Sequence, residues 1–236
     1  MAIASFQATV SRIRDLTHDV RELELTLREP KEIAFKAGQF ISFDVPKDGF
    51  PYPVTRPYSI ASPPFISDRL LLLFNLIPGG PGSTYLHGLR EGDPVTFKGP
   101  AGSFFLRDDL NKRILFVATG TGIAPFRSML LTYLERNSIQ PVTLVWGLRY
   151  ERDLYYQDEF RALADRHPQF SFVTTLSRPG PGWTGAKGRV NGLIEERVTS
   201  INDLAVYLCG NGRMIKDVTT SIQAKGLCPI YREQYY

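Results

Sequence analysis

Residues 114–137 read ILFVATGTGIAPFRSMLLTYLERN. An apolar run, Ile114–Ala118, reaches a turn at Gly120-Thr121-Gly122 and opens onto a helical stretch with Pro125 near its first turn. A strand apolar on both faces that passes through a glycine turn into a helix is the building unit of a parallel sheet covered by helices. The unit recurs downstream. Strand VTLVWGL precedes helix LYYQDEFRALADRH, strand FSFVTTL precedes helix NGLIEERV, and strand LAVYLCG precedes helix GRMIKDVTTSIQAKG. The chain from about residue 113 onward is therefore expected to form a doubly wound parallel sheet.

Upstream of this segment the pattern changes. Residues 1–106 contain six short strand-like runs punctuated by Pro and Gly: SFQATVSRI, VRELELTL, QFISFDV, VTRPYSIA, LLLLFNLI and PVTFKG. That is the pattern of an antiparallel barrel or sandwich. STYLHGL is the exception, a short helix after a glycine-rich loop. FLRDDLNK, residues 105–112, is read as the linker, which divides the chain into residues 1–106 and 107–236. With two such halves, ligands are expected in a crevice and at the carboxyl ends of strands.

Composition removes several classes. The chain has 236 residues, 43% hydrophobic and 22% charged, as an ordinary globular protein has. Its net charge of +4 is not gathered into a Lys/Arg tract, and there is neither zinc spacing nor an RNA-binding aromatic signature, so nucleic acid is not expected. No apolar run reaches the roughly 18–20 residues of a membrane span. MAIASFQATVSRIRD has no secretory pattern, and two cysteines cannot staple a fold of this size, so a cytoplasmic protein is expected. His18, His87 and His167 sit in no nucleophile setting, and no metal site is expected.

Four motifs carry chemistry. In IPGGPGSTYLHGL, residues 77–89, Ser83 and Thr84 stand at a helix start, either as ordinary caps or where free N–H groups favour a phosphate. The Gly120-Thr121-Gly122 turn is of phosphate-binding type. It departs from the dinucleotide fingerprint at Pro125, and a purely structural turn also fits it. In YLCGNGRMIKDV, residues 207–218, Cys209 and Gly210 end a strand, and Cys209 either faces the crevice or is a small core residue. In VTRPYSIAS, residues 54–62, Arg56 offers a cationic fork suited to a pyrophosphate, and Tyr58 a flat face and a hydroxyl. Strand alternation puts Arg56, Tyr58 and Ile60 on one side and Ser59 on the other. Either Ser59 acts through its backbone or the strand bends there.

R-x-Y-S, the Gly-Ser-Thr loop, T-G-T-G-x-x-P and C-G-N-x-x-M occur in the order in which the ferredoxin–NADP reductase family has them, and the chain resembles that family over its whole length. The resemblance implies a six-stranded antiparallel Greek-key β-barrel binding FAD (1–106), followed by a doubly wound NAD(P)-binding α/β domain (107–236). It implies hydride passage between NAD(P)H and FAD, and single electrons to or from a carrier such as ferredoxin or flavodoxin. Arg56 with Pro57 would bind the flavin pyrophosphate, Tyr58 lie against the isoalloxazine, and Ser59 bond near flavin N5. Gly82, Ser83 and Thr84 would hold the flavin phosphates. Gly120, Thr121 and Gly122 would line the nicotinamide path, with Cys209 and Gly210 beside its ring.

The tail Glu233-Gln-Tyr235-Tyr236 is similar to the bacterial form, in which the penultimate Tyr stacks on flavin and a further aromatic follows. A frayed or packed tail is the plain alternative. Ser59, Cys209, Glu233 and Tyr235 are the catalytic candidates. Ser177 and Arg178, with Lys187 or Arg189, resemble a 2′-phosphate site and favour NADP(H). The missing plant-type Tyr and the Trp183-Thr184-Gly185 loop keep NAD(H) open. The chain has no four-cysteine site for an iron–sulfur cluster, so the carrier is expected to be a separate molecule, and net positive charge suits an acidic one. An oxygenase reductase component, a free-flavin reductase and a non-catalytic flavin- or nucleotide-binding subunit are the rival readings.

Overall fold

The computed structural model describes residues 4–47, 49–107 and 112–235. The chain forms two compact units: residues through Leu106 together with Ala124–Thr132, and Arg107–Ile123 together with everything from Tyr133.

The first unit holds strands β1 (Ala4–Asp15), β2 (Val20–Glu29), β3 (Phe40–Val45), β4 (Val54–Ser59), β5 (Arg69–Asn75) and β6 (Pro94–Ala101). They form one antiparallel sheet in the order β4-β3-β6-β1-β2-β5. Helix α1 (Pro81–Gly88) lies between β5 and β6 in the chain. Alternation determines what faces inward. On β1 these residues are Phe6, Ala8 and Val10, and on β6 Val95 and Phe97. Phe6 pairs with Phe97 and the two rings stack at 5.2 Å.

The sheet curls on itself at β4. Through Ser59 that strand pairs with β3; at Ile60 the chain turns to bridge Leu72 of β5, and the Ala61 N–H donates to Leu71 O at 2.7 Å. The strand expected to run to Ala61 therefore stops at Ser59, because its next residues exchange one neighbour for another. Ser59, Ile60 and Ala61 are all buried, so alternation ends there, as the bend considered above requires. Within this unit Ser128 Oγ donates to Ser62 O at 2.7 Å and Arg127 Nη1 to Ala61 O at 3.0 Å.

The second unit holds β7 (Arg113–Thr119), β8 (Val142–Leu148), β9 (Phe170–Leu176), β10 (Ala186–Lys187), β11 (Leu204–Asn211) and β12 (Ile230–Tyr235), in the order β10-β9-β8-β7-β11-β12. Its described pairings are all parallel. Helix α2 (Ile123–Glu135) gives its Ala124–Thr132 stretch to the first unit, and the second unit's own helices are α3 (Gln157–Arg166), α4 (Val190–Arg197) and α5 (Gly212–Gln223). Strand order reverses between β7 and β11, and the carboxyl ends flanking such a reversal are where open α/β sheets bind ligands. On α5, Met214, Ile215, Val218 and Ile222 recur at helical spacing and pack with Leu193, Ile194, Val206 and Leu208. Asn211 caps this helix, its Oδ1 accepting from Arg213 N at 2.9 Å and Met214 N at 3.4 Å.

Two elements were not anticipated. The tail is an edge strand, β12, paired with β11 from Val206↔Ile230 to Asn211↔Tyr235. The two-residue β10 lies inside the Gly/Pro-rich segment read as a loop, paired with β9. Residues 108–111 of the expected linker, and Tyr236, lie outside the described residues. Among the described residues, no helix is long and apolar enough to cross a membrane, and no group of His, Cys, Asp or Glu is arranged to hold a metal ion.

Candidate functional site

On the barrel, Arg56 and Tyr58 occupy one side of β4, with Pro57 exposed between them and paired with Ser42. The start of α1 closes on both. A Cβ on Gly82 would lie 2.9 Å from Cβ and Cγ of Arg56 and would strike the Tyr58 hydroxyl, so a bare glycine is what allows the helix to meet the strand. Gly80 stands at the cap of α1 and Pro81 begins the helix; among the described residues no side chain caps it. The Ser83 hydroxyl is committed to the preceding loop, accepting from Ile77 N at 3.1 Å and facing the Ile77 and Gly80 carbonyls at 3.2 Å. What Ser83 can offer an anion is its backbone N–H. Thr84 is exposed, and its N–H is already bonded to Gly80 O at 3.0 Å.

Tyr58 sits edge-on to Phe43 and Phe74, with ring centroids at 6.0 and 6.1 Å. Burial pushes its phenol up to about 12, with the Arg56 charge opposing. Arg56 Nη1 donates to the neighbouring Thr55 O at 2.9 Å. Ser59 is 4% exposed, opposite Phe40 of β3. A guanidinium, an uncapped helix start and a wedged aromatic thus share one patch. This donor set fits a cofactor that carries both a diphosphate and a flat ring.

In the second unit, Gly120–Gly122 form a 3-10 turn at the end of β7. The Gly120 carbonyl accepts from Trp146 Nε1 at 3.0 Å and from the Tyr155 hydroxyl at 3.2 Å. A Cβ on Gly122 would lie 2.5 Å from Cys209 O, and one on Gly210, at φ +131°, would lie 2.9 Å from Thr119 O. Asn211 N donates to Thr119 Oγ1 at 3.0 Å. The glycines of these two motifs therefore let the ends of β7 and β11 touch, whatever else they do. Thr121 is nearly buried within the turn.

Cys209 is fully buried, in register with Ala118 on one side and Glu233 on the other. Burial pushes its thiol well up, the Glu233 carboxylate adds to this, and a hydrogen bond with the Tyr235 side chain opposes it. The sulfur is therefore a neutral thiol. Pairing of β12 with β11 brings Cys209, Glu233 and Tyr235 to one place and sets Tyr235 opposite Asn211. Gln234, beside Gly210, packs its amide against Gly212.

The loops after β8 and β9 are joined along their length. Ser177 N donates to Leu148 O at 3.0 Å, Arg178 N to Arg149 O at 2.9 Å, and Arg178 Nη1 to the Tyr150 hydroxyl at 3.3 Å. Arg178, then Arg152 and Arg149, hold the Tyr150 phenol below its ordinary value, and the Arg152 guanidinium lies 4.7 Å from the ring centroid. Lys187 lies on β10 opposite Leu176, and Arg189 precedes α4; both are exposed. Sequence reasoning missed Thr119, Trp146, Tyr155 and the Arg149–Arg152 segment. Each acts through an element distant in the chain, and the signal that could have found the last is two arginines following a strand's carboxyl end.

Residues 7–106 match the family model described as an oxidoreductase FAD-binding domain, and residues 116–220 match the oxidoreductase NAD-binding domain. Ferredoxin–NADP reductase B of Sorangium cellulosum (strain So ce56) is 38% identical over 216 residues, 89% of this chain and 88% of that protein. The reductase component DmpP of phenol 2-monooxygenase from Pseudomonas sp. (strain CF600) is 33% identical over 99% of this chain, which spans 66% of it. Among solved structures, the Amycolatopsis cytochrome P450 reductase GcoB superposes with a TM-score of 0.89 at 30% identity, over 98% of this chain and 70% of that one. A ferredoxin NADP+ reductase from Neisseria gonorrhoeae shares the fold, with a TM-score of 0.82 at 24% identity over 98% of this chain and 99% of that one.

Proposed function

Because the chain belongs to the ferredoxin–NADP reductase family of FAD- and NAD(P)-binding oxidoreductases, we propose that residues 1–106 hold FAD and residues 107–236 take NADPH, for electron exchange with a separate ferredoxin or flavodoxin. The observation that carries this reading is the closure of α1 on Arg56 and Tyr58 through Gly82. When bound, FAD supplies the chemistry that links two-electron hydride transfer to one-electron transfer.

Arg56 and the N–H groups of Gly82 and Ser83 take the diphosphate, and Thr84 adds its exposed hydroxyl. Pro57 fixes the backbone between Arg56 and Tyr58. Tyr58, held by Phe43 and Phe74, would support the ring system, and Ser59, which is buried, would bond near the reacting nitrogen. In the second unit, Gly120, Thr121 and Gly122 line the coenzyme path. The neutral thiol of Cys209 and the bare Gly210 border the nicotinamide, because neither puts charge or bulk there. Glu233 is the proton-handling carboxylate. Tyr235 would be the ring that gives way to nicotinamide, with Tyr236 as its extension. Ser177, Arg178, Lys187 and Arg189 favour the 2′-phosphate of NADPH over NADH.

A second reading, reductase component of an oxygenase, is favoured by the phenol 2-monooxygenase relative, which matches nearly the whole chain. Two free cysteines suit a cytoplasmic setting. The purified protein is expected to be yellow, to keep its flavin through gel filtration, to bleach on anaerobic addition of NADPH and to turn over ferricyanide. A colourless protein that takes up neither FAD nor FMN overturns the reading. Tight flavin binding without turnover makes it a non-catalytic subunit.

A further inference from the structure

We propose that Glu151 is a specificity-determining residue, a carboxylate built into the arginine cluster at Arg178 that narrows the margin by which the 2′-phosphorylated coenzyme is preferred. The inference rests on the reading above that the Arg178 loop receives the 2′-phosphate.

Glu151 Oε1 accepts from Gly180 N at 2.7 Å, two residues beyond Arg178. A Cβ on Gly180 would lie 3.2 Å from that oxygen, so the carboxylate sits directly on the loop. The bond completes the seam in which Arg178 N bonds Arg149 O and the Arg178 guanidinium bonds the Tyr150 hydroxyl. Three guanidiniums, Arg149, Arg152 and Arg178, act on Tyr150. Two carboxylates lie in the same short segment. Asp153 turns inward, with Oδ2 accepting from Tyr150 N at 3.0 Å and Oδ1 4.0 Å from Arg152. The described hydrogen bond of Glu151 is to an uncharged N–H, so its charge is not cancelled by a direct ion pair.

The two coenzymes feel that charge differently. A 2′-phosphate beside Arg178 is attracted by the guanidiniums and repelled by Glu151, whereas a 2′-hydroxyl carries no charge for either to act on. At a spacing of several Å near the surface, one such charge changes affinity for a phosphate by about three- to tenfold, less as salt rises. Glu151 also holds the loop, so removing its charge must be separated from removing its hydrogen bond. Glu151→Gln does this, since the amide oxygen still accepts from Gly180 N. Glu151→Ala removes both.

The test uses adenosine 2′,5′-bisphosphate and 5′-AMP, which differ only in the 2′-phosphate, with dissociation constants measured by calorimetry on the flavin-loaded full chain. Glu151→Gln is expected to strengthen 2′,5′-bisphosphate binding about three- to tenfold with AMP unchanged, and the gain should shrink in about 0.5 M salt. Arg178→Ala serves as the reference and should weaken the bisphosphate selectively. If Arg178→Ala lowers that selectivity while Glu151→Gln leaves it unchanged, Glu151 is only a loop clamp and the proposal is overturned. If Arg178→Ala changes nothing, the 2′-phosphate reading itself fails and the proposal fails with it.

Discussion

At the scale of single residues, the barrel patch depends on what one glycine leaves out. Gly82 lets α1 rest on the aliphatic stem of Arg56, and the guanidinium is thereby left beside a helix start that no described side chain caps. Charge-assisted bonds to a diphosphate contribute roughly 1.5–3 kcal/mol, so Arg56→Ala should weaken FAD binding about 10- to 100-fold, as measured by fluorescence titration of the apoprotein. Arg56→Lys should recover only part, because a point charge cannot replace the fork. Tyr58 gives a pH signature. Its folded-state value of about 12 lies above its ordinary 10.0, so the folded protein holds that proton more tightly. Its contribution is full below pH 10.0 and is lost as pH rises toward about 12. Urea unfolding should show the native protein losing stability over that window relative to Tyr58→Phe; parallel profiles would show that Tyr58 does not titrate there.

At the scale of elements, two strand ends decide the second site. The ends of β7 and β11 meet so closely that Gly122 and Gly210 have no room for a side chain, and Gly210 adopts φ +131°. Gly210→Ala should cost more than about 2 kcal/mol and lower the melting temperature by several degrees, through strain at positive φ and collision with Thr119. A melting temperature unchanged within error would mean the strand ends can part without cost. The tail is the other deciding element. Deleting Tyr235 and Tyr236 removes the last rung of β12, opposite Asn211, together with the hydrogen bond to Cys209. Loosened NADPH/NADH discrimination in kcat/KM and a shifted flavin absorption band are expected. If neither changes, Tyr235 is only the end of an edge strand.

At the scale of the whole molecule, the net charge of +4 is small, and its bearing on a partner is a matter of rate. If the electron carrier is an acidic ferredoxin or flavodoxin, the second-order rate constant for its reduction should fall steeply between about 0.05 and 0.5 M salt, because screening removes long-range steering. A salt-independent rate would point to an uncharged interface. The chain spans most of its ferredoxin–NADP reductase relative and about two thirds of the phenol 2-monooxygenase component.

Six strand-like runs followed by alternating strands and helices were sufficient, unaided, for an antiparallel sheet ahead of a doubly wound one, because burial imposes periods of two and 3.6 on the residues themselves. The R-x-Y-S, T-G-T-G and C-G-N motifs are contiguous, and a contiguous motif can be read before any fold is known. Sequence could not reveal that Ser83 spends its hydroxyl on the Ile77 carbonyl and N–H, that Trp146 and Tyr155 hold the Gly120 carbonyl, that the tail becomes a strand beside β11, or that Glu151 reaches Gly180. The Ser83 bond spans six residues of one loop and depends on how that loop turns, whereas the others join groups far apart along the chain, and the tail gains its sheet position only by pairing with β11. Local pattern specifies what a segment becomes, while the partner it meets is decided only when long-range packing closes the chain.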